Sequence, residues 1–254
     1  MKKILLIGSG NLATHLALKI DKKKYLITQV FSRNIENAKN LANKIQSDWT
    51  IDPKKIKKAD ITLVAISDDS IKNIINILPK NPTIHTSGST SIDIFKEHFL
   101  DYGVLYPLQT FNKDLEIEMK DIPFFIESNN KKFEKEIYEL ALSFSNNITQ
   151  LNSFKRQQLH IAAVFACNFS NHMLVIAKEL MEKENISYSL LLPLIKQSLS
   201  KIESGDPNKF QTGPAARNDN EIIEQHIKSI NQDHIKELYK LISKNIIRKH
   251  DTSY

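Results

Sequence analysis

Two glycines and an alanine near the start of the chain have the spacing of a dinucleotide-binding turn. The pattern Gly8-x-Gly10-x-x-Ala13 follows a short run at residues 3–7 that is apolar from Ile4 to Ile7, and it opens a segment with apolar positions at helical spacing. Gly8 permits a tight turn, Gly10 lets the backbone approach a pyrophosphate, and Ala13 allows close helix–sheet packing. This arrangement could hold a nicotinamide dinucleotide for hydride transfer. The alternative is an ordinary strand–helix turn that uses glycine.

The residues after the second predicted strand indicate which dinucleotide would bind. An acidic residue at this place binds the ribose 2′-OH of NAD, but the sequence has Ser32-Arg33-Asn34 instead. A guanidinium and a hydroxyl suit a 2′-phosphate, so the sequence favours NADP. A surface arginine at a strand end is the alternative. The expected cofactor contacts are Gly8, Ser9, Gly10, Asn11, Leu12, Ser32, Arg33, Ala65, Ile66, Ser67 and Ser87.

Polar residues also follow two later strands, where they could reach the ribose or the nicotinamide. Ser67 and Asp68 follow the apolar strand at residues 61–66, and capping the next helix is the simpler role for either of them. His85 and Ser87 leave the next strand along the chain. We interpret His85 as an ordinary strand histidine with satisfied hydrogen bonds.

A long apolar segment after residue 154 contains polar groups that are costly to bury without partners. At about 100° per residue, Cys167 and Asn171 fall within about 20° of His160, and Asn168 lies about 80° away. Reduction of a C=O or C=N bond requires a proton donor, which a histidine can provide. His160, Asn168 and Asn171 are therefore the catalytic candidates. Contacts between helices or subunits are the alternative, and Cys167 is not expected to be a nucleophile.

Two loops contain candidates for substrate binding. Gln109 is a polar residue in the largely apolar segment 105–111, where a structural role is equally plausible. Thr212 and Arg217 lie in a loop marked by glycine and proline, and Arg217 could bind a substrate carboxylate through two hydrogen bonds. Asp219 offers Arg217 an ion pair as the alternative.

The order of predicted elements explains how these residues could meet. Strands at residues 3–7, 25–31, 61–66, 83–86 and 103–106 alternate with helices, and strands at 122–126 and 148–151 follow. This order predicts an α/β Rossmann domain with a doubly wound, mostly parallel sheet over residues 1–151. From residue 154 onward the apolar positions recur at helical spacing, so residues 152–254 are expected to form an all-α domain.

Composition argues against several other classes of protein. The chain has 254 residues and a net charge of +6, divided evenly between the parts before and after residue 150. Only four of its 35 basic residues are arginine, the side chain that phosphate and base recognition favours, so nucleic-acid binding is not expected. With Cys167 as the only cysteine, we expect no disulfide, no cysteine-rich metal site and a reducing compartment.

The distribution of apolar residues argues against export and membrane insertion. The apolar run near the N-terminus stops after four residues at Gly8, which is shorter than a signal peptide requires. No stretch is expected to reach the roughly 18 apolar residues of a membrane span. We therefore expect a cytoplasmic protein without a membrane partner.

Several motifs resemble those of a known family. These motifs lie at residues 7–11, 85–89, 106–111, 159–172 and 211–215. Together they resemble bacterial oxidoreductases that join a Rossmann-like, NADP-oxidoreductase-type domain to a C-terminal helical domain of unknown function. The architecture is similar to that of pyrroline-5-carboxylate reductase, ketopantoate reductase and the β-hydroxyacid dehydrogenases. The resemblance implies a helical domain that is often dimeric and an active site in the interdomain cleft.

One departure from these relatives limits the substrate. Residues 159–176 contain no lysine, so the lysine–asparagine motif of the β-hydroxyacid dehydrogenases is missing, which argues against a 3-hydroxyacid. We expect an NADP(H)-dependent oxidoreductase that reduces a C=O or C=N bond of a small, carboxylated metabolite and forms a homodimer through the long apolar helix. A protein that binds NADP without turnover is the alternative, and the family resemblance leaves open a deazaflavin as redox partner.

Overall fold

A single sheet organises the first part of the chain. The computed structural model describes residues 1–251, and side chains as far as residue 249. Within these residues eight strands form the sheet: β1 (Lys2–Ile7), β2 (Tyr25–Phe31), β3 (Asp48–Thr50), β4 (Ile61–Val64), β5 (Thr83–His85), β6 (Tyr102–Pro107), β7 (Phe124–Ser128) and β8 (Ile148–Gln150). Their spatial order is β3-β2-β1-β4-β5-β6-β7-β8, and β6–β7 is the antiparallel pair. The predicted doubly wound, mostly parallel sheet is confirmed.

Helices connect the strands and make up the rest of the chain. They are α1 (Asn11–Lys19), α2 (Ile35–Ile45), α3 (Asp68–Ile74), α4 (Lys131–Ala141), α5 (Ser153–Ala163), α6 (Ser170–Lys183), α7 (Leu192–Glu203), α8 (Asn220–Ser229) and α9 (Asp233–Asp251). A π-helical segment, Val164–Phe169, joins α5 to α6. After β8 the described chain is helical, as the sequence predicts.

The alternation of side chains along β1 sends them into two separate cores. Ile4 and Leu6 pack in one apolar cluster with residues of α1, α2 and α4, while Leu5 and Ile7 pack in a second cluster with residues of α3. All four side chains are fully buried, as expected of a central strand that is covered on both faces. Helices therefore cover both faces of the sheet.

The order of strands creates a crevice at one edge of the sheet. β1 pairs with β2 on one side and with β4 on the other, all in parallel. The chain thus reverses its direction of winding at β1. The helix that follows β1 packs on one face of the sheet, and the helix that follows β4 packs on the other face. In open α/β sheets, ligands bind in the crevice at such a switch point.

Contacts divide the chain into two compact units, residues 1–173 and residues 174 onward. The first contains the sheet, α1 to α5 and the π-helical segment. In the second, Ala215, Ile223 and Ile227 form a small core against side chains that include Tyr239. The boundary predicted at residue 151 lies at the end of β8 and stays a prediction.

The π-helical segment changes the angular positions that the sequence predicts for the polar side chains of this helix. Hydrogen bonds from residue i to i+5 put more residues in each turn, so a segment of this kind turns less per residue than an α-helix. The segment Val164–Phe169 lies between His160 and Asn171, and the angles calculated for a uniform α-helix are therefore wrong.

The same helix corrects the membrane expectation. By length and composition alone, residues 153–183, with a mean hydropathy of 1.5 in the most apolar stretch, form the one described helix that could cross a bilayer. The expectation that no segment reaches this threshold is wrong. Because the core helix of a soluble protein can pass the same test, this finding by itself does not assign the helix to a membrane.

Candidate cofactor site and active site

The turn after β1 requires glycine for a steric reason. Gly8 has φ of +119°, and a Cβ there would lie 2.1 Å from the carbonyl oxygen of Ala65, the residue that follows β4. Gly10 caps α1, where no side chain hydrogen-bonds to the helix N-terminus. A Cβ at Gly10 would meet nothing within 4 Å. The N-terminus of α1 is therefore open to an anion, as a dinucleotide pyrophosphate requires.

A cleft of about 550 Å³ opens beside this turn, at the carboxyl ends of β1, β2 and β4. Ten of the eleven predicted cofactor residues line it: Gly8, Ser9, Gly10, Asn11, Leu12, Ser32, Arg33, Ala65, Ile66 and Ser67. Ser87 is not among the lining residues, because its hydroxyl bonds to the hydroxyl of Thr90 and accepts from the backbone of its own loop. The preceding residue, Thr86, lines the cleft instead.

The end of the cleft near β2 is built to receive a phosphate. Arg33 is exposed, and its Nη2 donates to Ser70 Oγ at 3.0 Å. Ser70 Oγ lies 2.8 Å from Ser67 Oγ, so the two hydroxyls hold the guanidinium in place. On the other side, Ser9 Oγ donates to Ser32 Oγ at 2.7 Å. None of the described lining residues is acidic, and an arginine without a carboxylate suits a 2′-phosphate better than a 2′-OH.

Apolar residues that the sequence analysis did not single out complete this end of the cleft. They are Ile51, Pro53, Ile74 and Ile77. Flat apolar walls of this kind suit an adenine ring. The open helix N-terminus, the held guanidinium and the apolar wall together fit NADP. These residues were not recognised beforehand because they come from two separate connections between strands. Ile51 and Pro53 follow β3, whereas Ile74 ends α3 and Ile77 ends the 3₁₀ turn Ile75–Ile77.

The loops after β4 and β5 are tied together. Asp68 accepts a short hydrogen bond from the hydroxyl of Ser89. Ser67 occupies the position before α3 without capping it through its side chain. The expectation that Ser67 or Asp68 serves mainly to cap the helix is therefore wrong, because both side chains bond to other hydroxyl groups.

A tyrosine and a histidine meet beside the loop after β5. Tyr106 Oη lies 3.0 Å from His160 Nδ1. Gly88 fits tightly against both residues, since a Cβ there would lie 2.7 Å from His160 Nδ1 and 2.8 Å from the Tyr106 ring. Burial, with a further contribution from the Asp68 carboxylate, raises the pKa of Tyr106 to about 12. The phenol therefore keeps its proton at neutral pH.

A buried arginine fixes the start of α5. The Arg156 side chain is buried, pairs with the Glu127 carboxylate of β7 and donates to the backbone carbonyl of Thr90. Ser153 Oγ donates to the same carboxylate at 2.8 Å. Arg156 lies four residues before His160, and positions i and i+4 share a helix face. The anchor and the candidate acid are therefore on one face of α5.

His85 differs from the satisfied strand histidine that the sequence suggested. It is fully buried, and its Nδ1 accepts from the backbone N–H of Ser87 at 3.2 Å. Its Nε2 makes no hydrogen bond of normal geometry. The nearby Ser91 backbone raises the pKa of His85 and so offsets part of the lowering described next. Burial, together with the positive charge of Arg156, lowers the pKa of His85 to about 3. His85 is therefore neutral at physiological pH.

None of the remaining predicted residues is among those that line the cleft. Asn168 and Asn171 are exposed, and in the described chain no hydrogen bond joins them to Tyr106 or His160. Gln109 is exposed, and its Oε1 accepts from the next residue's backbone N–H at 2.8 Å. Thr212 and Arg217 are exposed residues of the second unit. Arg217 pairs with Asp219 at 2.8 Å, which is the alternative that the sequence left open.

Tyr106 and Arg156 belong to the site although neither is predicted from the sequence. Tyr106 lies within the motif at residues 106–111. Arg156 is one of four arginines and lies one helical turn before His160, and this spacing was the available signal. Tyr106 and His160 are 54 residues apart in the sequence, and Glu127 and Arg156 are 29 residues apart. Periodicity within one helix or strand cannot reveal contacts over such separations.

A doubly wound sheet with a glycine turn, an open helix N-terminus and an arginine at the ribose position defines a dinucleotide-binding oxidoreductase. Residues 3–93 match the family model described as NADP oxidoreductase, coenzyme F420-dependent, and residues 122–246 match a domain of unknown function, DUF2520. The search of curated proteins gave no significant match.

Solved structures extend this result along the whole chain. The Bacteroides fragilis protein BF3122, assigned to the NADP oxidoreductases, is 37% identical over 97% of this chain and 98% of its own, with a TM-score of 0.88. The chain belongs to this family, in which an NADP-oxidoreductase domain precedes a DUF2520 domain. It is therefore an oxidoreductase, and NADP is its cofactor, as the sequence predicted.

More distant structures share the fold. A pyrroline-5-carboxylate reductase from Streptococcus pyogenes is 14% identical over 99% of this chain and 98% of its own, with a TM-score of 0.64. An imine reductase from Myxococcus stipitatus, in complex with NADP⁺, is 13% identical over 99% of this chain and 93% of its own, with a TM-score of 0.67. At this identity the similarity concerns the fold alone.

Proposed function

We propose that this protein uses NADPH to reduce the C=N bond of a small, carboxylated metabolite, with a C=O bond as the second choice. One observation carries the proposal. Thr86 lines the cofactor cleft, and two residues further along the same loop Gly88 contacts the hydrogen-bonded pair Tyr106–His160. A source of protons thus lies against the loop that also contributes to the dinucleotide cleft.

The residues of the cleft would hold the cofactor by three separate interactions. The N-terminus of α1 binds the pyrophosphate, Ser32 and Arg33 bind the 2′-phosphate, and the apolar wall packs on adenine. When bound, NADPH supplies the hydride. The protein must then supply a proton to the substrate nitrogen or oxygen, and His160 belongs to the group that supplies it. Asn168 and Asn171 remain candidates for orienting the substrate.

The preference for a C=N bond is supported by the kind of protein that shares the fold. The two distant neighbours are by name a pyrroline-5-carboxylate reductase and an imine reductase, and both names refer to reduction of C=N compounds. The carboxylate on the substrate stays a prediction from the sequence, with Gln109, Thr212 and Arg217 as the candidate residues to bind it. Arg217 would have to exchange its Asp219 partner for the substrate.

The experiment that tests this proposal follows NADPH absorbance during incubation with a panel of cyclic imines and ketones, with and without a carboxylate. We expect turnover of at least one carboxylated imine, at a rate above that of its uncarboxylated analogue. A wild-type protein that binds NADPH and reduces nothing across the panel contradicts the proposal. Faster reduction of the ketones assigns the chemistry to C=O.

A deazaflavin is a second candidate for the redox partner, because the description of the family model that matches residues 3–93 names coenzyme F420. Hydride would then pass between the deazaflavin and NADP. Mixing the protein with NADPH and oxidised deazaflavin tests it directly, since reduction bleaches the deazaflavin absorbance. Bleaching without turnover of any imine or ketone would favour this reaction over the first.

We further propose that the protein is a cytoplasmic homodimer whose second copy covers the long apolar helix. Six large aromatic or aliphatic side chains on this helix are exposed: Phe154 (69%), Ile161 (45%), Phe165 (65%), Phe169 (48%), Val175 (41%) and Leu180 (37%). Apolar surface of this extent is typical of an interface. Light scattering should give about twice the chain mass of 29.2 kDa. A monomer that floats with liposomes would instead assign the helix to a membrane.

A further inference from the structure

Tyr106 is a buried tyrosine beside the loop after β5, the loop whose first residue, Thr86, lines the cofactor cleft. Tyr106 lies near the carboxyl end of β6 and is 8% exposed, with its ring against Phe125 and edge-to-face with His160 at 5.9 Å between centroids. Its hydroxyl has His160 Nδ1 as its hydrogen-bond partner. The close approach of Gly88 leaves no room for a side chain between this pair and the loop after β5.

We propose that Tyr106 is the residue that donates the proton to the substrate, and that His160 is the relay that restores this proton. The proposal rests on the proposed reductase function and assigns the proton donor within it. The reason is that the tyrosine hydroxyl lies directly against the His160 ring nitrogen Nδ1. His160 directs Nδ1 at the tyrosine hydroxyl, so a proton leaving through Nδ1 reaches Tyr106 Oη before any substrate.

The direction of this hydrogen bond determines whether the relay works. A phenol has one hydrogen, so a hydroxyl that donates to Nδ1 has none to offer the substrate. If Nδ1 carries the proton, it donates to Oη, and the hydroxyl hydrogen is free to turn toward a substrate atom. The proposal therefore requires His160 to be protonated at Nδ1.

The proton balance of the step is complete. The Tyr106 O–H bond breaks while a bond forms from hydrogen to the substrate nitrogen, and the substrate carbon accepts the hydride. The phenolate then takes the Nδ1 proton of His160, and Nε2 takes up a proton from water. This leaves the imidazole protonated at Nε2, and loss of that proton to water together with uptake of one at Nδ1 restores the starting tautomer. His160 is half-buried, which leaves it a route to solvent that the enclosed tyrosine lacks. The raised pKa of Tyr106 keeps the donor protonated between turnovers.

The geometry of α5 and the sheet explains why the pair meets. In the antiparallel register, Tyr106 is opposite Phe125 and Val104 is opposite Glu127, so Glu127 lies two residues from the tyrosine's position on the same face. Two residues of strand span about 6.7 Å. Arg156, paired with Glu127, precedes His160 by four helical residues, or about 6 Å of rise. Because these two distances nearly match, anchoring Arg156 on Glu127 places His160 over Tyr106.

The first test measures the tautomer and needs no substrate. Nitrogen-15 NMR of His160, in the protein saturated with NADPH, should show Nδ1 protonated, with its shift altered by Tyr106→Phe. The matched control is Tyr102→Phe, which removes a hydroxyl from an equally buried tyrosine of the same strand. An unprotonated Nδ1 from pH 5 to 8 overturns the proposal, because the hydroxyl hydrogen would then be held by the histidine.

The second test measures turnover of an imine that the wild-type protein reduces. General-acid catalysis contributes about 10²-fold to 10⁴-fold, so Tyr106→Phe should lower kcat/KM by about 10²-fold or more, abolish the solvent deuterium isotope effect and leave NADPH affinity unchanged. His160→Asn, which retains a donor in place of Nδ1, should keep more activity than His160→Ala. If the wild-type protein is active and Tyr106→Phe has the same kcat/KM, the role of Tyr106 is overturned while the proposed reductase function stands. A wild type that reduces no substrate overturns the proposed function as well.

Discussion

Replacing Arg33 by alanine should separate the affinities for the two nicotinamide dinucleotides. Arg33 is the charged residue among those lining the described cleft, and Ser70 holds its guanidinium. A hydrogen bond to a charged group contributes about 1.5–3 kcal/mol, and Arg33 is exposed, so solvent and salt reduce its contribution to the lower end of that range. A loss of about 1.5 kcal/mol corresponds to about a tenfold rise in the Kd for NADPH. The Kd for NADH, which has no 2′-phosphate, should stay unchanged.

The assay is a titration followed by quenching of Trp49, the single tryptophan, which lies on β3 two residues before the cleft residue Ile51. Lys39→Ala, which removes another exposed cation from α2, is the matched control for net charge. Ser70→Ala, which frees the guanidinium without removing it, should weaken NADPH binding by a smaller factor. Equal loss of NADPH and NADH affinity in Arg33→Ala would refute the assignment of Arg33 to the 2′-phosphate.

Three further changes test other parts of the structure. Gly8→Ala should abolish NADPH binding and lower the melting temperature, because its Cβ would lie 2.1 Å from the Ala65 carbonyl oxygen; normal binding by calorimetry would contradict this. Arg156→Met should cost about 3–5 kcal/mol of unfolding free energy in urea by leaving the Glu127 carboxylate half-buried and unpaired, and Arg156→Met with Glu127→Leu should recover much of it. Because the pKa of His85 falls from 6.5 in the unfolded chain to about 3 in the fold, only the unfolded state takes up its proton between these values. Stability should therefore decrease by up to about 1.4 kcal/mol per pH unit as the pH drops below 6.5 toward 3. His85→Gln should flatten that slope in urea titrations, and an unchanged slope would contradict a buried neutral imidazole.

The cofactor half of the site was predictable because its signals are local. Gly8, Gly10 and Ala13 lie within six residues, and the adjoining strand and helix are visible in the periodicity. Arg33 lies two residues after a strand whose predicted bounds, Tyr25–Phe31, agree with the structure. Parallel strands place their carboxyl ends at one edge, so the sheet order converts these local signals into a shared cleft.

The proton-donating half was not predictable for the opposite reason. Tyr106 and His160 meet only because a strand register and a buried ion pair bring α5 onto the sheet. The π-helical turn between His160 and Asn171 depends on backbone hydrogen bonds that residue types do not reveal, so a uniform helical wheel misplaced the asparagines. The three-residue strand β3 was missed because it is short and mostly exposed.

The cleft has one property that bears on how proteins of this kind diversify. Its lining residues run from Ile7 to Thr86 and so occupy the first third of the chain, whereas Tyr106, Arg156 and His160 follow later. Mutations after Thr86 can therefore alter the reacting groups and the substrate without changing any side chain that lines the nucleotide cleft. Evolution can explore new reactions on such a scaffold while cofactor recognition is inherited intact.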